Sequence, residues 1–566
     1  MTGIKKIEKQ HLLFVSCLFL FSCIFLWRST LSVNYYDEPY SIAVNWRFFK
    51  GGAILAEDWH PSQQLTAWLL YPLYWFWYRV LNGNEGIILA FRVSYIIFQG
   101  LIASWCYFRL KDYKYCAVAS TLLFVLSTHN NMMTVNYNTI GIGCMMLLLT
   151  TLFTEKKFSR TTLMICGCLV SVIVLAQPYS IVIFGLWGIS VCIVCLTRRK
   201  KKIPELLRFR NYFYIGLGAF LVLLLFIMVV LKRANMEQVL TGIHYNLSDP
   251  EHEIDISYKI SKYFERFYRY YKYQILVMFA SLIVGIIPIN DKRVNIVRLE
   301  CFCLATVAFC YTMISLGWIS DYVPIDFISV PMTFLGLSIF GISRKKNWKL
   351  LGCWVIPAFM YTFGVQFATD TGILAVSAAT IVASAGSTLM LAEAIREEAK
   401  YIPNIVVKWL AILIVMLNIL QAALFMYQRV FYTWWGDPIE QCTELIEEGP
   451  AKGIRTSKED LEEYKTGLAE IDQLRLSESD RLLILEHATW LYLYADVPVA
   501  TYSFWAVGEE NFLDEYYLLY PEKTPTVVYV WDEDDVYEKD YINKFLEKNY
   551  ELTEFDSGNV FLRNNK

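Results

Sequence analysis

The run LTAWLLYPLYWFWYRVLN, from Leu65 to Asn82, decides the fold. It is apolar enough to be taken for a membrane crossing, and close to the ~20 residues a crossing helix needs. Whether it crosses sets the side of every later segment. The N-terminus carries Lys5, Lys6 and Lys9, which assigns it to the cytoplasm by the positive-inside rule. The first apolar run, 12–32, is too long and too poorly cleavable for a signal peptide and reads as a span. The next basic turn, Arg109, Lys111 and Lys114, follows the run 86–108. If both 65–82 and 86–108 crossed, that turn would lie outside; if only 86–108 crosses, it lies inside. The later basic turns fit the second choice: Lys156, Lys157 and Arg160; Arg198 to Lys202; Lys292, Arg293 and Arg298; Arg344 to Lys346; Arg396 and Lys400. The run 65–82 therefore lies along the outer interface, where Trp68, Tyr71, Tyr74, Trp75, Trp77 and Tyr78 suit an aromatic belt.

Thirteen spans follow from this reading, near 12–32, 86–108, 115–128, 137–154, 162–176, 180–196, 211–231, 273–289, 298–317, 325–342, 349–365, 371–392 and 404–427. The predicted fold is an all-α polytopic membrane bundle of about 13 transmembrane helices over 1–427, followed by a small extracytoplasmic α/β domain over 428–566. With 56% hydrophobic and 18% charged residues among 566, the chain is neither disordered, nor a disulfide scaffold, nor a cytosolic enzyme. The net charge of −2 hides a division: residues from 428 on hold 30 Asp and Glu against 13 Lys and Arg, and the rest 23 against 38. Of the 14 cysteines only Cys442 lies in the acidic tail, so no disulfide framework arises there, and no Cys/His metal spacing occurs.

The tail reads as α/β. Thr456 and Ser457 before Glu459 and Asp460 mark a helix start. RLLIL from Arg481 and TVVYVW from Thr526 read as short buried strands, 510–520 and 538–549 as helices, and the last residues as a hairpin turning at Ser557-Gly558. No phosphate loop and no nucleophile elbow is present, which makes the tail a docking or lid domain. Three outer segments are long, 33–85, 232–272 and the tail, so function is expected on that face.

The first outer loop opens with Asp37 and Glu38 in NYYDEPYSIAVNWRFFKGG. A carboxylate at the lipid–water boundary is partly desolvated, which suits it to general-base work. Ala43, Trp46 and Phe49 then recur at helical spacing, as in an amphipathic helix lying on the membrane. The loop closes with Glu57, Asp58, Trp59, His60 and Pro61. Loop 232–272 opens with Lys232 and Arg233 and ends in SYKISKYFERFYRYYKY, which holds Lys259, Lys262, Arg266, Arg269 and Lys272 among Tyr and Phe. That basic aromatic segment serves headgroup anchoring, polyprenyl-phosphate binding, or both. Arg92 lies within the second span, either as a phosphate contact or as the partner of a buried carboxylate. The polar residues His129, Asn130, Asn136, Tyr137, Asn138, Gln177, Asp321, Tyr322, Asp326 and Asp370 are further candidates to line the same cavity, or to serve as caps and solvated groups.

The order of span, Asp-Glu, amphipathic helix, Asp-x-His-Pro and interfacial helix resembles the GT-C membrane glycosyltransferases. It is similar above all to the branch with the protein O-mannosyltransferases, the aminoarabinose transferase of lipid A and bacterial dolichyl-phosphate-mannose mannosyltransferase-like proteins. Asp37-Glu38 and Asp58-Trp59-His60-Pro61 carry the resemblance, which covers the first 110 or so residues in detail. It implies transfer of a sugar from a polyprenyl-phosphate donor to an acceptor hydroxyl on the outer face of the plasma membrane, usually with inversion. Asp37 would be the base, Glu38 would orient acceptor or sugar, and Asp58, His60 and Tyr40 would shape the acceptor site. Lys232, Arg233, Arg266, Arg269 and Arg92 would offer positive charge to the donor phosphate. The acceptor is a glycan, a lipid or a protein, membrane lipids surround the chain, and no nucleic acid is involved. The resemblance implies no cofactor and does not favour a divalent metal, although Asp37, Glu38, Asp58 and His60 have the chemistry to hold one. The departures are Glu57 and Trp59 around Asp58, and Ser62 after Pro61 where the mannosyltransferases repeat proline.

Two other classes compete. A flippase or transporter of a lipid-linked glycan calls for charges near mid-bilayer and repeated span patterns; charges inside the spans are scarce and no internal repeat is evident. A non-catalytic assembly protein would leave Asp37 without a role.

Overall fold

The computed structural model describes residues 8–59, 62–128, 131–197, 204–247, 255–287, 292–318, 329–366, 377–398, 404–485, 488–505, 510–531 and 536–564. Helices run α1 (Lys9–Ser29), α2 (Asp37–Phe49), α3 (Ala67–Leu81), α4 (Ile87–Leu110), α5 (Tyr115–Leu126), α6 (Tyr137–Thr154), α7 (Arg160–Ala176), α8 (Ile181–Thr197) and α9 (Phe209–Leu231). They continue as α10 (Met236–Asn246), α11 (Ile256–Val284), α12 (Lys292–Trp318), α13 (Ser329–Ile342), α14 (Trp348–Leu350), α15 (Ile356–Gln366), α16 (Ile381–Glu398) and α17 (Asn404–Phe431). A helix therefore stands at each of the thirteen positions read as spans. Eight helices among the described residues are long and apolar enough to cross a membrane, and Tyr115–Leu126, Arg160–Ala176 and Ser329–Ile342 are shorter apolar helices. The chain is that of a multi-pass membrane protein.

Burial separates the centre of the bundle from its lipid-facing rim. The apolar window of α6 is 83% buried, whereas that of α9 is 22% buried. Glycine sets the closest crossing. A Cβ on Gly167 of α7 would stand 2.0 Å from the Ile215 carbonyl oxygen, and one on Gly218 of α9 would stand 2.1 Å from that of Met164. Bare backbones there let α7 and α9 touch, the small-residue packing that joins helices where lipid offers no hydrophobic drive.

Contacts mark the two ends of the bundle and place 65–82 relative to them. At one end, Gln10 reaches the Lys111 carbonyl, Arg109 pairs with Glu155, Lys349 bonds the Glu155 carbonyl, and Tyr113 and Asn347 both reach Glu393. The basic turns thus converge on the side of residue 10. At the other end, the Arg455 N–H donates to the Thr30 carbonyl, the Ser32 N–H to the Arg455 carbonyl and the Gly86 N–H to the Gly449 carbonyl. The α1 and α4 helices each run from one end to the other, and α2 and α3 stay at the end shared with the C-terminal region. Within 65–82 the helix α3 stands at that end rather than running between the two.

Residues after α17 build a small α/β unit from α18 (Lys458–Gln473), α19 (Thr489–Ala495), α20 (Glu510–Leu519) and α21 (Val536–Glu547). Its strands are β1 (Glu444–Leu445), β2 (Arg455–Thr456), β3 (Leu482–Leu485), β4 (Val527–Val530), β5 (Tyr550–Glu554) and β6 (Val560–Asn564). The main sheet has the order β3-β4-β6-β5, with β3 and β4 parallel and the other pairs antiparallel. Every residue of β3 and β4 is buried, as expected of parallel strands covered on both faces. Gly558 supplies the positive φ of +96° at the β5–β6 turn. Ser457 caps α18 by accepting the Asp460 N–H.

Candidate active site

The site begins where α1 ends. Asn34 Oδ1 accepts the N–H groups of Tyr36 (2.9 Å) and Asp37 (2.8 Å), which starts α2 and sets Asp37 in its first turn. Asn34 Nδ2 donates to the Trp434 carbonyl at 2.9 Å, so the same side chain fixes the stretch just after α17. Trp434 then turns its indole back: Nε1–H donates to Asp37 Oδ2 at 2.6 Å. Glycine permits the approach. A Cβ on Gly436 would lie 2.5 Å from Ser32 Oγ and 2.6 Å from the Val33 carbonyl oxygen. Asp37 is half-buried. Burial raises its pKa from 3.8 to about 6, helped by the neighbouring charge of Glu38 and opposed by the bonds from Trp434 and Asn34. A carboxylate so placed is ionised at neutral pH and yet basic enough to take a proton from a hydroxyl. Tyr137, at the first position of α6, is within electrostatic reach of it.

Glu38 points the other way. Arg92 Nε meets its two oxygens at 3.1 and 3.2 Å and Nη2 meets Oε2 at 2.5 Å, with both side chains buried. Arg92 also donates to the carbonyls of Ser29 (2.8 Å) and Ser32 (2.9 Å), the loose C-terminal end of α1. The intramembrane arginine is therefore the partner of a buried carboxylate and the clamp that ties α1, α2 and α4 together.

The helix expected to lie on the membrane is instead enclosed. The α2 residues Glu38 through Phe48 are buried apart from Ser41, and the C-terminal unit covers them. Trp46 Nε1–H donates to Asp496 Oδ1 at 2.7 Å, and Arg47 Nη2 donates to the Tyr516 hydroxyl at 2.9 Å. Its spacing of apolar residues reflects one buried face; the others carry Asn45 and Arg47, which reach protein partners rather than water. Tyr40 is buried edge-on to Trp505.

The second motif packs against α10 and the C-terminal unit. Asp58 is buried, its carbonyl accepting from Gln64 Nε2 at 2.8 Å. Trp59 stacks on Tyr245 of α10 at 4.0 Å and stands edge-on to Tyr516. His60 lies outside the described residues, as do His129, Asn130, Asp321, Tyr322, Asp326 and Asp370. Asn136 caps α6, while Asn138 accepts from Gln177, which in turn accepts from Tyr361 inside the bundle.

Of the remaining cations, Arg233 lies 3.8 Å above the Phe48 ring and donates to the carbonyls of Phe48 (2.5 Å) and Gly52 (2.9 Å), bracing α2. Lys232 is exposed at the end of α9. Arg266, half-buried, and Arg269, exposed beside Tyr270, stand on the long α11. Among the described residues none of these four meets Asp37 or Glu38 through a hydrogen bond or ion pair, and no group of three or more His, Cys, Asp or Glu is placed to hold a metal. Trp434, the direct partner of Asp37, is the residue that sequence reasoning passed over. Its signal was the Trp434-Trp435-Gly436 run immediately after the last span.

No family model and no curated protein matches the chain. Among solved structures it is similar to the oligosaccharyltransferase of Archaeoglobus fulgidus tethered to an acceptor peptide, at 11% identity over 99% of this chain and 74% of that one, with a TM-score of 0.47. It is also similar to AglB of that archaeon in complex with an inhibitory peptide and a dolichol-phosphate, at 11% identity, 98% and 74% coverage and a TM-score of 0.45. ArnT of Cupriavidus metallidurans bound to undecaprenyl phosphate gives 10% identity, 98% coverage of both chains and a TM-score of 0.45.

Proposed function

We propose that this chain is a GT-C-type membrane glycosyltransferase that moves a sugar from a polyprenyl-phosphate donor to an acceptor hydroxyl of a cell-envelope glycan, lipid or protein. The observation that carries the reading is Asp37: a half-buried carboxylate, raised to about 6, held by the Trp434 indole where the first loop meets the C-terminal unit. Asp37 takes the acceptor proton as the acceptor oxygen attacks the anomeric carbon and the bond from that carbon to the phosphate oxygen breaks. The polyprenyl phosphate leaves with the bonding pair, and attack from the opposite face inverts the anomeric centre. Lys232, Arg266 and Arg269 offer charge to the departing phosphate. Glu38 acts through position, anchoring α2 on Arg92, and Arg233 braces the same helix. Residues 1–427 form the transferase body and 428–566 an extracytoplasmic domain of a plasma-membrane protein whose N-terminus is cytoplasmic.

The test is transfer by purified protein in lipid, with polyprenyl-phosphate sugars as donors and Asp37→Asn as the variant. We expect a fall of ~10²-fold or more in the variant. Full transfer by Asp37→Asn would remove the base assignment. Donor translocation without transfer would replace the enzyme with a flippase.

A further inference from the structure

A cavity of about 640 Å³ lies in the half of the bundle where the basic turns gather, within the ~300–1,000 Å³ typical of small-molecule sites. Its walls are apolar, with Met145, Leu149 and Leu152 from α6, Ile183 and Trp187 from α8, and Ile356 from α15. The Trp187 Nε1–H donates to the Leu206 carbonyl at 3.1 Å and holds the turn 204–207 against α8. On the side of α15 the lining runs from Trp348 to Met360, twelve helical steps or ~18 Å. One leaflet of a bilayer core ~30 Å thick is ~15 Å deep. On α6 the lining runs from Met145, at the middle of the helix, to Glu155, just past its end. The cavity thus has the depth of one leaflet and ends at the membrane surface.

Every charged lining residue stands at that surface end: Glu155, Lys156, Glu205 and Lys349. Both carboxylates are already paired. Glu155 meets Arg109, and Glu205 Oε1 lies 3.8 Å from Arg208; neither arginine lines the cavity. The lysines have no such partner. Lys156 is exposed, and Lys349 Nζ donates to the Glu155 backbone carbonyl at 2.9 Å; neither forms an ion pair among the described residues. Trp348, 68% exposed, stands beside Lys349, at the level where indoles meet lipid headgroups. The helical wall is irregular just below. Leu351–Val355 form a π-helical turn between α14 and α15, a feature that collects at functional sites. Gly352 stands in that turn and lines the cavity, and a Cβ there would meet nothing within 4 Å.

An apolar slot of leaflet depth, topped by two ammonium groups without a carboxylate partner, matches an amphiphile with an anionic head. We propose that this cavity holds an acidic glycerophospholipid of the leaflet on the basic-turn side. One acyl chain lies between α6, α8 and α15, and the phosphate sits between Lys156 and Lys349. The site is separate from Asp37 and stands whether or not the chain transfers a sugar.

The test is lipid binding by the full chain, delipidated in detergent and followed by native mass spectrometry. The probes are phosphatidylglycerol and phosphatidylcholine with the same acyl chains. We expect phosphatidylglycerol to bind about tenfold tighter. Lys156→Ala combined with Lys349→Ala should remove that preference, and Gly352→Phe, which fills open space, should weaken phosphatidylglycerol binding about tenfold. Equal binding of the two lipids, or phosphatidylglycerol binding untouched by both variants, overturns the proposal. So does tighter binding of undecaprenyl phosphate that Gly352→Phe abolishes, which would make the cavity a seat for a polyprenyl lipid instead. An unchanged unfolding temperature of the lipid-free Gly352→Phe protein ensures that lost binding is not lost fold. If that temperature falls, Lys156→Ala, at an exposed position, decides, and an undiminished preference for phosphatidylglycerol overturns the proposal.

Discussion

Burial and a single indole act in opposition on Asp37. Burial raises the Asp37 pKa to about 6 against the opposing hydrogen bond from Trp434 Nε1–H, at 2.6 Å. A base works when deprotonated, so transfer should rise with pH through about 6 and then level. Trp434→Phe removes a donor that favours the charged form, so the midpoint should move upward; the pH profile of kcat/KM checks this, and an unmoved midpoint contradicts it. Glu38 differs in kind although it is the next residue. Removing one partner of a buried ion pair costs about 3–5 kcal/mol. Glu38→Ala should therefore lower the unfolding temperature sharply, whereas Asp37→Asn should leave it nearly unchanged. Pairing Glu38→Leu with Arg92→Met should recover only part of the loss, because Arg92 also serves the Ser29 and Ser32 carbonyls. In the sequence both carboxylates were legible as candidates at a boundary. Their separate duties were not, because the partners Arg92 and Trp434 lie far along the chain.

Elements were most legible where their own pattern determines them. Most membrane helices and β3, β4 and the terminal hairpin follow apolar runs and turn residues, so their positions match the expectation closely, but α11 begins at Ile256, inside the segment read as the outer loop 232–272. The surroundings of α2 were harder to read. Its apolar spacing is that of a half-exposed helix, and only the docking of the C-terminal unit, through Trp46 to Asp496 and Arg47 to Tyr516, closes the rest. The two-residue strands β1 and β2 and the helix α19 carried too little pattern to be anticipated. The element that joins loop and tail, 432–437, is set by Gly436. Gly436→Val should push the segment off Ser32 and Val33, since its Cβ has no room. The expected result is a fall in transfer of about tenfold or more, with the unfolding temperature of the membrane body little changed. Transfer at the ordinary rate would show that Trp434 need not sit where it does.

At the scale of the molecule, the near-zero net charge is a cancellation between a basic bundle and an acidic tail. The basic turns gather at the end near Gln10, and the acidic unit caps the other. This division was readable because positive charge is sorted by topology while acidic charge is not. The two ends are thus fixed relative to each other by contacts, and the sign of the charge at each predicts the absolute orientation. An epitope placed after Gly558, in the exposed β5–β6 turn, should be reached by antibody on intact cells or spheroplasts. One placed after Asp112, in the turn between α4 and α5, should be reached only after permeabilisation. Both sites are at turns between elements rather than within them. The reverse pattern would invert the protein and put Asp37 in the cytoplasm, away from any donor presented outside. Labelling of both epitopes on intact cells would mean that the number of crossings between them is even, and that a helix between α4 and the C-terminal unit had been assigned to the wrong place.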